Sequence, residues 1–260
     1  GFIGPGIFAI FLAFIIYLGM QDRPRTLGLP TVADWKDDHP SKDEKEKHLS
    51  TGESQKKIIK TPAIWVLGFA SAAMYMTRYA INSWGVLYLQ EAKGYTLIEA
   101  GSILGVNTFA GIVGCVAYGF ISDKLFDARR PPVTLIFGIV EVLSLLVIFF
   151  SAPGQTILLT GAFVVYGFTL SGLLAALGGL FAIDIAPKNA AGAAMGFIGI
   201  FSYIGAGLQD QISGFLIDQG STMVNGELAY DFSIVTLYWI GSSILSLILA
   251  TTLWNVKVRE

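Results

Sequence analysis

One arginine lies in the middle of a long apolar stretch, and its neighbours at helical spacing are small or polar. These residues recur at intervals of 4, 3, 4 and 3 positions, which places them on one face of a helix. They are Ser71, Tyr75, Arg78, Asn82 and Gly85. A guanidinium is permanently charged and its planar fork matches the oxygens of a phosphate. The stripe therefore predicts a phosphate-binding site in which Arg78 is the anchor.

Other ionisable or hydroxyl-bearing residues in apolar stretches are weaker candidates. Tyr75, one turn before Arg78, is placed to donate its hydroxyl to the same phosphate. Tyr203 and Asp210, seven residues apart on one helix face, either line a cavity or pack. Asp210 is open to three roles: contact with substrate hydroxyls, pairing with a cation, or proton binding. A structural ion pair of Arg78 with Asp210 or Glu141 is the alternative to phosphate binding.

The composition indicates that these residues lie in a membrane. Of the 260 residues, 53% are hydrophobic and 14% are charged, against about 25% charged in a typical soluble protein. Residues 21–60 hold 17 of the 36 Asp, Glu, Lys and Arg residues. The other 220 residues are therefore too apolar for a soluble enzyme.

A bilayer core of roughly 30 Å needs about 20 apolar residues in a helix. Seven stretches meet that requirement, and the sequence predicts an all-α membrane protein. The predicted spans are 1–20, 62–89, 97–121, 132–152, 156–184, 190–218 and 232–256.

Lysine and arginine predict the orientation, because they are retained on the cytoplasmic side of a membrane. Alternate connections and the C-terminal tail carry 15 of these residues, whereas the opposite side carries Lys93 alone. We therefore expect residue 1 outside and a cytoplasmic C-terminus.

Residue types needed for catalysis are sparse. Cys115 is the single cysteine and lies in a predicted span, while His39 and His48 fall in the charged loop. No nucleophile with a base and no phosphate-cradling glycine loop is apparent. We expect neither an enzyme nor a bound metal, cofactor or nucleic acid.

A short motif follows the span 97–121. Gly119-Phe-Ile-Ser-Asp123-Lys124 resembles the G-x-x-x-D-[RK] loop signature of the major facilitator superfamily. Gly119 is expected to permit close helix approach, and Asp123 to cap a helix or pair with a nearby cation.

Three further blocks resemble the organophosphate:phosphate antiporter family, which includes glycerol-3-phosphate and hexose-phosphate transporters. The first is Asp22-x-Pro24 with Gly28-Leu29-Pro30, and the second is Arg78-Tyr79 with Trp84 and Tyr88. The third runs from Ala186-Pro187-Lys188 to Tyr203-x-Gly205. The blocks occur in the family's order across nearly the whole chain.

The resemblance implies a domain organisation. Residues 1–20 would be the last transmembrane helix of an N-terminal half that the chain lacks. Residues 21–61 would be the central cytoplasmic loop, 62–256 the C-terminal six-helix transport bundle, and 257–260 a cytoplasmic tail. When complete, the protein is expected to be a monomer in the inner (plasma) membrane.

The resemblance also implies a function: exchange of an organic phosphate for inorganic phosphate by alternating access, with Arg78 and an arginine of the other half holding the phosphate. Two alternatives stay open. One is a transport-inactive sugar-phosphate sensor, and the other a proton-coupled facilitator in which Asp210 is the key residue. Asn107-Thr108 stands where the family has an acid, and this departure bears on substrate choice.

Overall fold

A computed structural model describes residues 3–21, 24–30, 35, 56, 58–186, 190–224 and 226–256. Much of the predicted loop 21–61 and the whole tail 257–260 lie outside these residues. The chain divides into two compact units, residues 1–49 and 50–260.

In the described part of the first unit, the regular helix is α1 (Ile3–Gly19). It has 17 residues and is apolar on every side, as expected of a helix surrounded by lipid or by other helices. A single 3-10 turn, Pro24–Leu27, follows it. Proline blocks continuation of the preceding helix, which explains why this segment forms a turn.

In the second unit, the described residues form helices joined by short loops, with a small hairpin before the last helix. Its helices begin and end close to the predicted spans. They are α2 (Pro62–Glu91), α3 (Leu97–Leu125), α4 (Arg130–Phe150), α5 (Thr156–Ala175), α6 (Phe181–Ile185), α7 (Ala191–Gly220) and α8 (Ser233–Thr252).

Among the described residues, five helical segments are long and apolar enough to cross a membrane, and α5 and α6 form one of them together. These are α3, α4, the segment Thr156–Ile185, α7 and α8. The all-α membrane class is therefore confirmed. The helix α2 is long enough to cross a bilayer, but the polar stripe that contains Arg78 makes it less apolar than the other five.

Local sequence fixes several helix ends. Prolines begin α2 and follow the first residue of α4, where a missing N–H costs nothing. Thr96 and Glu99 form a reciprocal capping box at the start of α3. Lys93 lies in the loop before it and closes the end of α4, donating to the carbonyls of Phe149 and Ser151.

Burial of Lys93, which is 7% exposed, lowers the pKa of its ammonium group. Its cationic head also lies 5.7 Å from the ring centre of Tyr88. The single cation predicted on the outer side is thus part of a helix cap.

Small residues bring the helices into close contact. A Cβ added to Gly114 of α3 would lie 1.9 Å from the Phe168 carbonyl oxygen of α5, and one added to Gly167 would lie 2.1 Å from that of Asn107. A Cβ at Gly205 of α7 would lie 2.5 Å from the Ala72 carbonyl oxygen of α2. The helix backbones therefore touch at these positions.

Two features were not predicted from the sequence. The segment Ala176–Leu180, between α5 and α6, is a π-helical turn, with the Phe181 amide donating to the Ala176 carbonyl. Strands β1 (Thr222–Val224) and β2 (Glu227–Ala229) form an antiparallel hairpin before α8. Gly226, at φ +85°, makes its turn, because this backbone conformation suits glycine.

Candidate functional site

Arg78 lies in the middle of α2, half-buried, and two tyrosine rings of the same helix lie beside its guanidinium. Its guanidinium carbon is 5.6 Å from the ring centre of Tyr75 and 5.8 Å from that of Tyr79. The two rings stack on each other at 6.1 Å. These cation–π contacts hold the guanidinium in place without neutralising its charge.

The helix α7 adds a third tyrosine. The ring of Tyr203 meets that of Tyr75 edge to face, with 5.7 Å between the ring centres. Its side chain is 66% exposed, so most of it remains available for contact. Tyr75, Arg78, Tyr79 and Tyr203 are called the arginine–tyrosine cluster below.

Contacts between α2 and α7 position this cluster. The hydroxyls of Ser71 and Ser202 lie 2.8 Å apart in a buried hydrogen bond. The residue after Ser71 in α2 is Ala72, and its carbonyl oxygen lies against Gly205 of α7. The two backbones therefore approach closely just before Tyr75, which is why Tyr203 reaches its ring. Of the predicted polar stripe, Ser71 serves packing rather than an open site.

The charge of Arg78 has no acidic partner in the part of the chain that the structure describes. Glu141 is instead hydrogen-bonded by the hydroxyl of Ser243, and Asp210 forms no ion pair with a described residue. The structural ion pairs considered as an alternative for Arg78 are therefore not found among the described residues. A partly buried cation that has no carboxylate partner can bind an anion from solution.

The remaining residues singled out from the sequence lie on α2 and α7. Asn82, one turn beyond Arg78, is exposed and makes no hydrogen bond to a described residue. Asp210 is half-buried, and its Oδ1 is buried without a hydrogen-bond partner in the described residues. Gly85, the last residue of the stripe, is buried against Leu104 of α3.

Asn107-Thr108, for which the resemblance implied an acidic position in the family, combines one packed and one exposed side chain. Asn107 is 8% exposed, and its backbone lies against Gly167 of α5. Thr108 is exposed and donates to its own helix at the carbonyl of Leu104. Neither residue contacts Arg78.

A second group of charged residues lies at the C-terminal end of α3, where the loop motif occurs. Arg130, at the start of α4, pairs with Asp123 and, at 3.3 Å, with Asp184 of α6. It also donates to the hydroxyl of Ser122 at 2.9 Å. Of the two roles expected for Asp123, a helix cap or an ion pair, the structure shows the ion pair, and the roles of Arg130 and Asp184 were not predicted.

Two members of the predicted loop motif make no such contacts. Lys124 is exposed. A Cβ added to Gly119 would meet no atom of the chain within 4 Å, so the close helix approach expected there is not seen in the described residues. The close approaches of α3 occur earlier in the helix, at Gly111 and Gly114.

We expect the Arg130 network to contribute to stability. Arg130→Gln removes a side chain that is 12% exposed and joins α3, α4 and α6. Loss of partly buried, charge-assisted hydrogen bonds should cost about 1–3 kcal/mol. Thermal unfolding of the purified protein measures this loss. Arg129→Gln is the matched control, because Arg129 is exposed, and equal stability of the two variants would contradict the prediction.

Comparison with known proteins shows the family to which the chain belongs. Residues 1–209 match the model of the Major Facilitator Superfamily. The glycerol-3-phosphate transporter of Bacillus subtilis is 32% identical, over 99% of this chain and 56% of its own length.

Other relatives carry different names. The membrane sensor protein UhpC of Salmonella typhimurium is 33% identical, over 80% of this chain and 48% of its own length. The probable hexose phosphate transport protein of Chlamydia muridarum is 33% identical, over 78% and 47%. The chain spans about half the length of these curated relatives. It is a multi-pass membrane protein that belongs to the Major Facilitator Superfamily, and its relatives are those of the organophosphate:phosphate antiporter family.

Proposed function

We propose that the chain is one six-helix half, with a preceding span, of an antiporter that exchanges an organic phosphate for inorganic phosphate. The observation that carries the proposal is the half-buried Arg78, surrounded by tyrosines and without a carboxylate partner among the described residues. The names of the relatives support glycerol-3-phosphate or a sugar phosphate as the organic substrate.

In this proposal the phosphate binds the arginine–tyrosine cluster. The guanidinium fork of Arg78 holds two phosphate oxygens, and the hydroxyls of Tyr75 and Tyr203 donate to the others. The edge-to-face contact between the two rings brings both hydroxyl-bearing side chains to the same place. Asn82 and Asp210 contact the hydroxyl groups of the organic substrate.

One guanidinium does not neutralise a phosphate that carries up to two negative charges. We propose that an arginine from another six-helix half supplies the second positive charge. In that arrangement α1 ends the other half, residues 21–61 join the halves in the cytoplasm, and residues 62–256 form the transport bundle. The C-terminus is then cytoplasmic.

Antiport follows from the unpaired charge. When the site is empty, reorientation would carry uncompensated cations through the low-dielectric centre of the protein, which is unfavourable. A bound phosphate or organic phosphate removes this penalty, so the halves rock only when loaded. Exchange is the result.

Counterflow in vesicles tests the proposal. Proteoliposomes that contain the complete protein are loaded with inorganic phosphate and given labelled glycerol-3-phosphate or glucose-6-phosphate outside. We expect uptake that depends on internal phosphate. Equal uptake into phosphate-free vesicles would contradict the exchange mechanism.

Similarity to UhpC favours a second candidate, a sensor that binds an organic phosphate without transporting it. Such a protein would keep the arginine–tyrosine cluster. Specific binding of an organic phosphate to the purified protein, together with no counterflow for any substrate tested, would select the sensor.

A further inference from the structure

A buried carboxyl group lies outside the proposed substrate site. Glu141 is in the middle of α4, about 16 Å from Arg130 by helical rise, and it is 1% exposed. The Ser243 hydroxyl of α8 contacts its Oε2, while its Oε1 has no hydrogen-bond partner in the described residues.

The neighbours of Glu141 provide little to stabilise a negative charge. On the α8 side, the partner is the neutral Ser243 hydroxyl, and Leu247 packs against Gly138 one turn away. On the α5 side, the fully buried Tyr166 is close enough to interact electrostatically with both Glu141 and Arg78.

The polar groups around Tyr166 are already engaged. Its hydroxyl donates to the carbonyl of Thr77 at 3.2 Å, and thus points towards α2. Arg78 follows Thr77, but it forms no ion pair with Glu141, and neither does any other cation in the described residues.

A charged carboxylate would therefore be enclosed in a membrane-spanning bundle, and the neutral hydroxyl of Ser243 would be its one hydrogen-bond donor among the described residues. Buried carboxyl groups without a cation become neutral by binding a proton. A neutral carboxyl group also carries an O–H, which gives it a donor as well as acceptors. It can then share a hydrogen bond with Ser243 in either direction.

We propose that Glu141 is a proton-binding site, occupied at neutral pH, and that the neutral acid joins α4 to α8 through Ser243. The inference concerns the chain itself and does not depend on the proposed transport function. The carboxyl keeps its proton because it is shielded from water and no cation of the described residues forms an ion pair with it. Loss of the proton in alkaline solution leaves a bare charge between the two helices and weakens their contact.

Infrared spectroscopy of the complete, purified protein tests the charge state directly. A protonated carboxyl group has a C=O stretching band that an ionised carboxylate lacks. We expect wild-type protein at pH 7 to show such a band, and Glu141→Gln to lose it. Ser243→Ala should shift the frequency of the band without removing it, because this variant alters the hydrogen bond and leaves the acid.

Thermal unfolding supplies an independent measurement. Glutamine is a neutral analogue of the protonated acid, but it has no proton to release on unfolding. Above about pH 4.3 the unfolded chain releases the proton of Glu141 while the folded chain keeps it, so the stability of wild-type protein relative to Glu141→Gln should fall as the pH rises. We therefore expect similar unfolding temperatures near pH 4 and a higher unfolding temperature for Glu141→Gln at pH 7. An infrared band that is unchanged in Glu141→Gln would overturn the proposal, because the band would then belong to another carboxyl group. A Glu141→Gln protein that is less stable than wild type at pH 7 would also overturn it, because a protonated Glu141 gives up stability at this pH that a neutral amide keeps.

Discussion

Replacing Arg78 with lysine should weaken the binding of phosphate and organic phosphates by about 10- to 100-fold. A hydrogen bond to a charged group contributes about 1.5–3 kcal/mol, and each 1.4 kcal/mol is a factor of ten in affinity. Lysine keeps the positive charge but has no planar fork, so it makes one of the two parallel hydrogen bonds. An ammonium group also makes a weaker contact with the rings of Tyr75 and Tyr79, which lie beside the guanidinium.

Equilibrium binding of inorganic phosphate to the complete, purified protein measures this effect. Arg129→Lys is the control for a change of one arginine elsewhere, because Arg129 is exposed and lies in a loop. Thermal unfolding of both variants separates a loss of binding from a loss of folding. Wild-type affinity in a well-folded Arg78→Lys protein would remove the phosphate-binding role and, with it, the proposed function.

The substitution Gly114→Ala should destabilise the bundle strongly. Its Cβ would lie 1.9 Å from the carbonyl oxygen of Phe168 and 2.5 Å from the carbonyl carbon. Both atoms belong to the backbone of α5, so no side chain can rotate away. Separation of α3 from α5 is the remaining response, and overpacking of this kind costs about 1–3 kcal/mol, occasionally more.

Gly105→Ala is the matched control in the same helix. An added Cβ at Gly105 meets no atom of the chain within 4 Å. Alanine is also favoured over glycine inside a helix by up to about 1 kcal/mol. Thermal unfolding should therefore place Gly105→Ala at or above wild type and Gly114→Ala well below it. Two variants of equal stability would show that the backbones of α3 and α5 do not meet at Gly114.

The sequence was sufficient to predict the helices, because a continuous apolar stretch in a membrane has to satisfy its backbone hydrogen bonds within a helix. It did not indicate the π-turn at Ala176–Leu180, since this segment is as apolar as the helices beside it. The hairpin Thr222–Ala229 was missed for another reason. It consists of two three-residue strands, which are too short for a pattern of alternation to appear.

The site could be predicted only in part. Helical spacing was enough to place Tyr75 beside Arg78, because both belong to α2. The same spacing included Ser71 and Gly85, which the neighbouring helices turn into packing positions. Contacts between helices, such as Arg130 with Asp184 or Glu141 with Ser243, depend on which helices are neighbours, and spacing within one helix carries no information about that.

The glycines also show that the sequence of one helix does not indicate which of its residues meet a neighbouring helix. Gly167, Gly172 and Gly205 lie at close helix contacts, as expected for small residues in a membrane bundle. Gly196 and Gly199 of α7, which belong to the same kind of pattern, have no atom within 4 Å of an added Cβ. Their sequence context does not distinguish the two groups.

The π-turn determines the direction in which Asp184 faces. Asp184 follows Tyr166 by 18 residues, which is five full turns at 3.6 residues per turn, so an unbroken α-helix would place both on one face. One extra residue in the π-turn rotates everything after it by about 100°. Deleting one residue from Ala176–Leu180 would restore a regular helix and turn Asp184 away from Arg130. The ion pair between Asp184 and Arg130 therefore depends on a π-turn that lies more than one helical turn before Asp184.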